Sequence, residues 1–296
     1  MEDVAFSIGS MRSRRRRDRV FLVLVCVLAV VACMPLLLIL FELVLKGYDQ
    51  INLAFFTEAT PSTLDAMLAK GAGRRIPGGI ANGIVGTFLM VGAAAVVALP
   101  LGIGVGVFLW ERPGSRYASV VRLVADTLQA TPSIVVGIVI YEWLVRPLGG
   151  FSGWAGSAAL CLMMIPLIVR STEESLRLLP STIKEAGLAL GAPTSRVVTR
   201  VVLPSAFGGI STGALLAIAR TMGETAPLIM TALGSAMITY NMGRPMAAVP
   251  LLVWEFYNDP NLMEMVWSSS LFLLLLTLVL NLTARWLARR YGARQH

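Results

Sequence analysis

Glu185-Ala186-Gly187-Leu188-Ala189-Leu190-Gly191, closed by Val201-Val202-Leu203-Pro204, is a short polar-edged stretch set between long apolar runs. The apolar runs decide the fold. With 56% hydrophobic and only 14% charged residues, and a mean hydropathy of +0.74, the chain is too apolar for a water-soluble fold of its length. Uncharged runs at Val20–Phe41, Ile76–Trp110, Pro147–Val169, Val201–Ala219 and Met265–Ala284 each approach or exceed the roughly 20 residues that cross a hydrocarbon core. Tyr117–Tyr141 is interrupted by Arg122 and Asp126 but clean from Thr127 onward, and it makes a sixth span. The predicted fold is all-α, a polytopic membrane protein with six transmembrane helices. A Gly-hinged helix between two such spans is suited to couple them to a soluble partner.

Basic residues set the orientation. With the N-terminus inside, Arg12, Arg14–Arg17, Arg19, Arg112, Arg116, the Arg170–Arg200 loop and the Arg285–Arg294 tail are cytoplasmic, and Lys46, Lys70, Arg74, Arg75, Arg146 and Arg244 are outside. That bias obeys the positive-inside rule. The net charge of +8 is therefore topogenic, and with no interleaved aromatics or recognition motif it does not mark nucleic-acid binding. Residues 1–19 read as a basic cytoplasmic arm without regular structure, 20–290 as the transmembrane domain and 291–296 as a cytoplasmic tail. The first apolar run is too long for a signal peptide and lacks a small-x-small cleavage site, so it is expected to remain as an anchor.

Several chemistries are excluded at this level. Cys26, Cys33 and Cys161 lie inside apolar runs without CxxC spacing, and the single histidine is His296. A zinc site or a Ser/His protease has no usable imidazole in the spans. No GxxxxGK[ST] phosphate loop exists, so ATP, if it drives this protein, is hydrolysed as its magnesium complex by another chain. Neither a metal nor a cofactor is expected here.

The outer segments carry their own signals. Lys46–Gly79 is expected to be partly ordered at the membrane surface but too short for its own core, and Ala247–Trp254 to fold back into the bundle. Small residues four apart, Gly79/Gly83, Gly102/Gly106 and Gly209/Gly213, are expected at close helix contacts.

Two clusters and one break hold the chemistry. Arg220 and Glu224 stand between uncharged runs, with Gly223 and Pro227 weakening the helix and Thr221 and Thr225 adding hydroxyls. Charges at that depth need a partner or a water-filled path. An i,i+4 pair on one helical face would neutralise itself and only fix packing; a broken helix would expose both groups to a substrate. Arg170 with Glu173 and Glu174 ends the fourth span, and gate and structural pair are equally open readings. Thr131-Pro132-Ser133 breaks the third span, either as a simple kink or as a source of free backbone and hydroxyl groups. A guanidinium suits a tetrahedral oxyanion. A carboxylate beside it tolerates an anion that still carries a proton, and so favours phosphate over sulfate.

These motifs resemble those of an ATP-binding-cassette importer's membrane subunit. The importer motif EAA-x3-G-x9-I-x-LP is met by Glu185, Ala186, Gly191, Leu203 and Pro204, with Gly187 and Val201 replacing Ala and Ile. Ala130–Gly137, Pro166–Pro180 and Arg220–Leu228 are similar to the A-type permeases of bacterial phosphate-specific systems. The resemblance covers about Gly78–Arg290. It implies the type I importer permease fold, a coupling helix at about Ser181–Thr194 within a loop spanning about 173–204, and import of inorganic phosphate across the cytoplasmic (inner) membrane. Implied partners are a C-type permease forming a heterodimer, two ATP-binding cassette ATPase subunits and an extracytoplasmic phosphate-binding protein, besides membrane lipid. The alternatives are a permease for sulfate or molybdate, or a non-transporting scaffold or sensor that binds a regulatory ATPase.

Overall fold

Hydrocarbon offers no partner to backbone polar groups, so a chain this apolar must satisfy them within helices. The computed structural model describes residues 8–292, with side chains over 16–286; His296 and the end of the basic tail lie outside them. Five helices among the described residues are long and apolar enough to cross a membrane, and a bent pair raises the number to six.

Helix α1 (Ile8–Gly47) opens the chain. The arginine arm, expected to lack regular structure, belongs to this helix from Ile8 onward. The apolar stretch of α1 is almost wholly exposed, as a lipid-facing helix is, and it packs on the last helix through Gly47 against Leu271. Two short helices follow, α2 (Leu53–Thr57) and α3 (Thr63–Gly71), capped by the side chains of Asn52 and Ser62. Helix α4 (Ala81–Glu111) is the second span. Gly79, expected within it, lies in the preceding loop, pressed against the backbone of Ala54 and Phe55.

The third span is broken. Helix α5 (Arg116–Ala130) stops at Thr131, because the residue before a proline is driven out of the helical region, and Thr131 is extended at φ −69°, ψ 131°. Helix α6 (Ser133–Ile140) then leaves at 104° and runs through a π-turn into α7 (Arg146–Leu148). Residues 147–152, expected to start the fourth span, instead end this unit and turn. The fourth span is α8 (Gly153–Arg177), capped by Ser152, and it reaches farther toward the motif loop than the run of apolar residues indicated.

Helix α9 (Ser181–Ala189) carries the Glu185 motif. It ends at Leu190, so the helix is shorter than expected. Gly191 turns the chain at φ +76° with open space around it, a left-handed conformation that glycine adopts without strain. Helix α10 (Thr194–Val197) and a π-turn lead into α11 (Leu203–Thr221), the fifth span. Beyond a break lie α12 (Ala226–Ile229), α13 (Val249–Tyr257) and the sixth span, α14 (Met263–Gly292).

The outer segments complete each other. Phe55, Ala66, Ile76 and Ile80 of the first pack with Ala247, Val249, Leu252 and Phe256 of the second. Neither has enough apolar surface for a core of its own, and together they share one. The second segment folds back into the bundle as expected. Polar ties join them at the rim: Thr63 donates to Asp259 (2.6 Å) and Lys70 to the Pro260 carbonyl (3.0 Å). The Thr63 and Asn261 donors hold the Asp259 carboxyl below its ordinary range, so this tie is complete at neutral pH and is lost only as pH falls through that lowered value.

Helix α8 is the centre of the bundle, packed on α4, α5, α6, α11 and α12. Two glycine pairs make this possible. A Cβ on Gly102 would meet Ile168 at 2.7 Å and one on Gly106 would meet Thr172 at 2.6 Å, while Gly209 and Gly213 lie against Ser175 and Ser171. Gly104, on the same helix as the first pair, faces open space. Gly106→Ala is therefore expected to cost about 1–3 kcal/mol by overpacking. Gly104→Ala should be neutral or stabilising, since Ala is the better helix former. Thermal unfolding of the two variants in detergent tests the contrast, and equal midpoints would remove the seam from the account of stability.

Candidate functional site

The two helix breaks meet. Helix α12, just past the second break, packs on α6, just past the first, and Gly137 approaches Pro227 so closely that a Cβ would lie 2.8 Å from the Pro227 Cα. Between the breaks is a cavity of about 200 Å³ lined by Leu128, Gln129, Thr131, Pro132, Ser133, Met163, Leu167, Arg220, Thr221 and Glu224. At about 30 Å³ per water, it has room for a small hydrated anion.

Helix α11 ends under Arg220. Gly223 and Glu224 close tight turns onto the carbonyls of Arg220 and Thr221, and Pro227 sits in the first turn of α12. Arg220 and Glu224 therefore do not share a helical face, as a continuous helix would require. Among the described residues neither side chain has a hydrogen bond or an ion pair. Glu224 is half-buried and Arg220 exposed at the cavity's edge. The self-neutralising pair is not formed, and both charges line the same hollow.

The hydroxyls are oriented by local bonds. Thr221 donates to the Ala217 carbonyl (2.8 Å) and Thr131 to the Thr127 carbonyl (2.7 Å), so each presents lone pairs rather than a proton to any further partner. Ser133 lines the cavity as well. Gln129 was not picked out from sequence, although an amide at the end of an apolar helix, two residues before Thr131, was a usable signal. Thr225 stands at the start of α12 and is not among the lining residues.

Arg170 and Glu173 belong to a different structure. Arg170 forms an ion pair with Asp126, its Nε 3.1 Å from the carboxylate, and is 3.9 Å from Glu173, so the pair expected from sequence is its weaker contact. Glu173 is 1% exposed and is held by Arg122 (2.8 Å) and Arg177 (2.6 Å). Arg122 also donates to the carbonyls of Leu109 and Pro113 at the end of α4. Glu174 is exposed. Arg122 and Asp126, which appeared only to interrupt the third span, tie α5 to α8 in two rungs. Neither Arg170 nor Glu173 lines the cavity.

The motif residues sit on α9 and the start of α11. Glu185, Ala186 and Leu188 are exposed. Gly187 turns inward, where a Cβ would stand 2.9 Å from Val197. Leu203 packs beneath with Leu176, Val202 and Ala206, and Pro204 is exposed in the first turn of α11.

Removing one member of a buried pair costs about 3–5 kcal/mol. Arg122→Met is expected to lose stability on that scale, somewhat softened because Arg177 still reaches Glu173. Arg220→Met should leave the unfolding midpoint unchanged, since no described residue depends on it. A large loss for Arg220→Met in a thermal melt would mean that its charge serves the fold.

Comparison with known proteins fits this architecture. The family model of the binding-protein-dependent transport system inner membrane component matches residues 98–293. The phosphate transport system permease protein PstA of Yersinia pestis is 39% identical over 275 residues, covering 92% of this chain and 90% of its own. The PstA proteins of Pasteurella multocida and Haemophilus influenzae are 39% and 34% identical, covering 83% and 92% of this chain and 85% and 94% of theirs. A solved structure of the inward-facing MetNI methionine ABC transporter superposes with a TM-score of 0.58 at 20% identity, over 71% of this chain and 94% of that one, a likeness of fold. The chain belongs to the family of binding-protein-dependent transport system inner membrane components, among its PstA phosphate permeases.

Proposed function

We propose that this chain is one permease half of an ATP-driven importer of inorganic phosphate, and that Arg220 and Glu224 line the anion's path. The observation that carries the reading is the cavity at the meeting of two helix breaks, edged by Arg220 and Glu224, neither of which has a hydrogen-bond or ion-pair partner among the described residues. Charges held at that depth are costly, and a guanidinium left open to a hollow of this size suits an oxyanion. Glu224 accepts a hydrogen bond from the P–OH of a protonated phosphate, while Arg220 donates to its other oxygens. Thr221, Thr131 and Ser133 complete the lining. Thr225, Arg170 and Glu173 position helices around it.

A second permease half supplies the missing wall. Arg220 is exposed, and Val120, Leu123 and Val124 of α5 with Ile134, Val135 and Ile138 of α6 present an exposed apolar face beside it. The partner of choice is a C-type permease, in a heterodimer with two ATPase subunits inside and a phosphate-binding protein outside. The N- and C-termini then lie in the cytoplasm, as does α9, whose exposed face of Glu185, Ala186 and Leu188 docks on the ATPase. ATP and magnesium are bound by that subunit.

Uptake of labelled phosphate by the reconstituted transporter tests the path. Arg220→Ala is expected to abolish uptake with assembly intact, and Arg220→Lys to rescue poorly because a point charge lacks the guanidinium fork. Glu224→Gln should reduce uptake and let sulfate compete better, because an amide also donates to a fully deprotonated anion. Normal uptake by Arg220→Ala would take the arginine out of the path. An unchanged sulfate ratio for an active Glu224→Gln would leave selectivity to the external binder.

The coupling role of α9 has its own test. A Gly191→Val, Glu185→Ala double variant puts a β-branched residue at φ +76° and removes the exposed carboxylate. It is expected to lower both ATPase binding and transport-linked hydrolysis, and wild-type values for both would strip α9 of this role.

A further inference from the structure

We infer that Trp110 is the positioning residue through which helix α9 bears on the membrane bundle; the inference rests on the coupling role proposed for α9. Trp110 lies in the last turn of α4, and its bland role would be that of an aromatic anchor at the membrane surface. Its surroundings are more specific. The ring is half-buried against the cluster of Leu176, Val197, Val202, Ala206 and Ile210, which joins the ends of α8, α10 and α11. Over the ring, 5.0 Å from its centre, stands the Lys184 ammonium of α9. An ammonium at that distance is attracted by the electron-rich face of an indole.

The two sides of α9 thus do different things. Lys184 and Gly187, three residues apart and so on one face, are turned to the bundle: one lies over Trp110 and the other is pressed against Val197. Glu185 and Ala186, on the other side, are turned to water. A push delivered to the outer face reaches α4 through the indole and α11 through Val197 and Val202. Helix α11 continues from that cluster to Arg220 at its far end. At 1.5 Å per residue this is about 26 Å of unbroken helix, a stiff rod between the ATPase side and the cavity. Helix α4 reaches the other break, because the Leu109 carbonyl in its last turn and the Pro113 carbonyl just beyond it hold Arg122 of α5. Trp110 stands where both routes begin.

The experiment measures phosphate moved per ATP hydrolysed by the complete transporter in proteoliposomes, with melting temperature and assembly followed in parallel. Trp110→Leu is expected to lower that ratio about two- to fivefold, the range of a partly exposed cation–π contact. Trp110→Phe keeps an aromatic face and should retain most of it. Lys184→Met should lower the ratio by a similar factor. The Trp110→Leu, Lys184→Met double variant should fall no further than Trp110→Leu alone, because both changes remove one contact. An unchanged ratio in Trp110→Leu, with a lowered ratio in the Gly191→Val, Glu185→Ala control, overturns the inference and leaves the coupling role of α9 standing. Unchanged ratios in both remove that role as well. Poorer assembly or a lower melting temperature in Trp110→Leu, with a wild-type ratio in the assembled fraction, makes Trp110 a packing residue only and equally overturns it.

Discussion

Backbone polar groups have no partner in hydrocarbon, and that constraint governs the whole molecule. A helix can be interrupted at membrane depth only where protein or an enclosed aqueous hollow takes over from lipid. This chain interrupts two, at Thr131-Pro132 and at Met222–Thr225, and it sets them against each other. Gly137 lets α6 approach Pro227, so the two breaks wall the same cavity. Had they faced lipid separately, each would have left carbonyls and amides unsatisfied at several kcal/mol per group.

Bringing two breaks together requires a rigid frame, and α8 provides it by giving each neighbour a different surface. Ile168 and Thr172 fit into the glycine gaps of α4, and Ser171 and Ser175 into those of α11. Arg170 and Glu173 face α5 and bind it through Asp126 and Arg122. The first two seams are steric, since lipid gives helices no hydrophobic reason to associate and close packing must do so. The third is ionic and lies toward the motif loop. A buried carboxylate such as Glu173 adds little net stability beyond an apolar pair, but it is costly once deprived of its arginines. It therefore specifies one register of α5 on α8, and α5 leads directly into the cavity.

What was legible in the sequence follows from how local each determinant is. Spans are local, because a run of twenty apolar residues speaks for itself, and the glycine seams at Gly102/Gly106 and Gly209/Gly213 are nearly so. The Pro132 break was legible for the same reason. The partner of Arg170 was not: Glu173 is close in sequence and Asp126 is not, yet the geometry of α5 on α8 favours Asp126. Arg122 and Asp126 looked like blemishes in a span, and their use depends on a helix that sequence does not place beside them. The shared core of the two outer segments, in which Phe55 and Ile80 join Val249 and Phe256, was out of reach for that reason too. Gln129 was local and went unread, since an amide without charge draws less attention than an arginine.

The four-residue spacing of Arg220 and Glu224 shows how a break changes the meaning of a motif. In an unbroken helix the two groups would meet on one face and satisfy each other, at little cost and with little left for a substrate. Gly223 weakens the helix and Pro227 starts a new one, so the chain turns between them and the pair is parted. The chain thereby forgoes its own ion pair. What it keeps is a cation and an anion facing a common hollow, with the Thr131 and Thr221 protons already committed to the backbone. A ligand that entered would find a guanidinium donor and a carboxylate acceptor in the same lining. That polarity fits an oxyanion carrying a proton, and a fully deprotonated anion would meet the carboxylate without one.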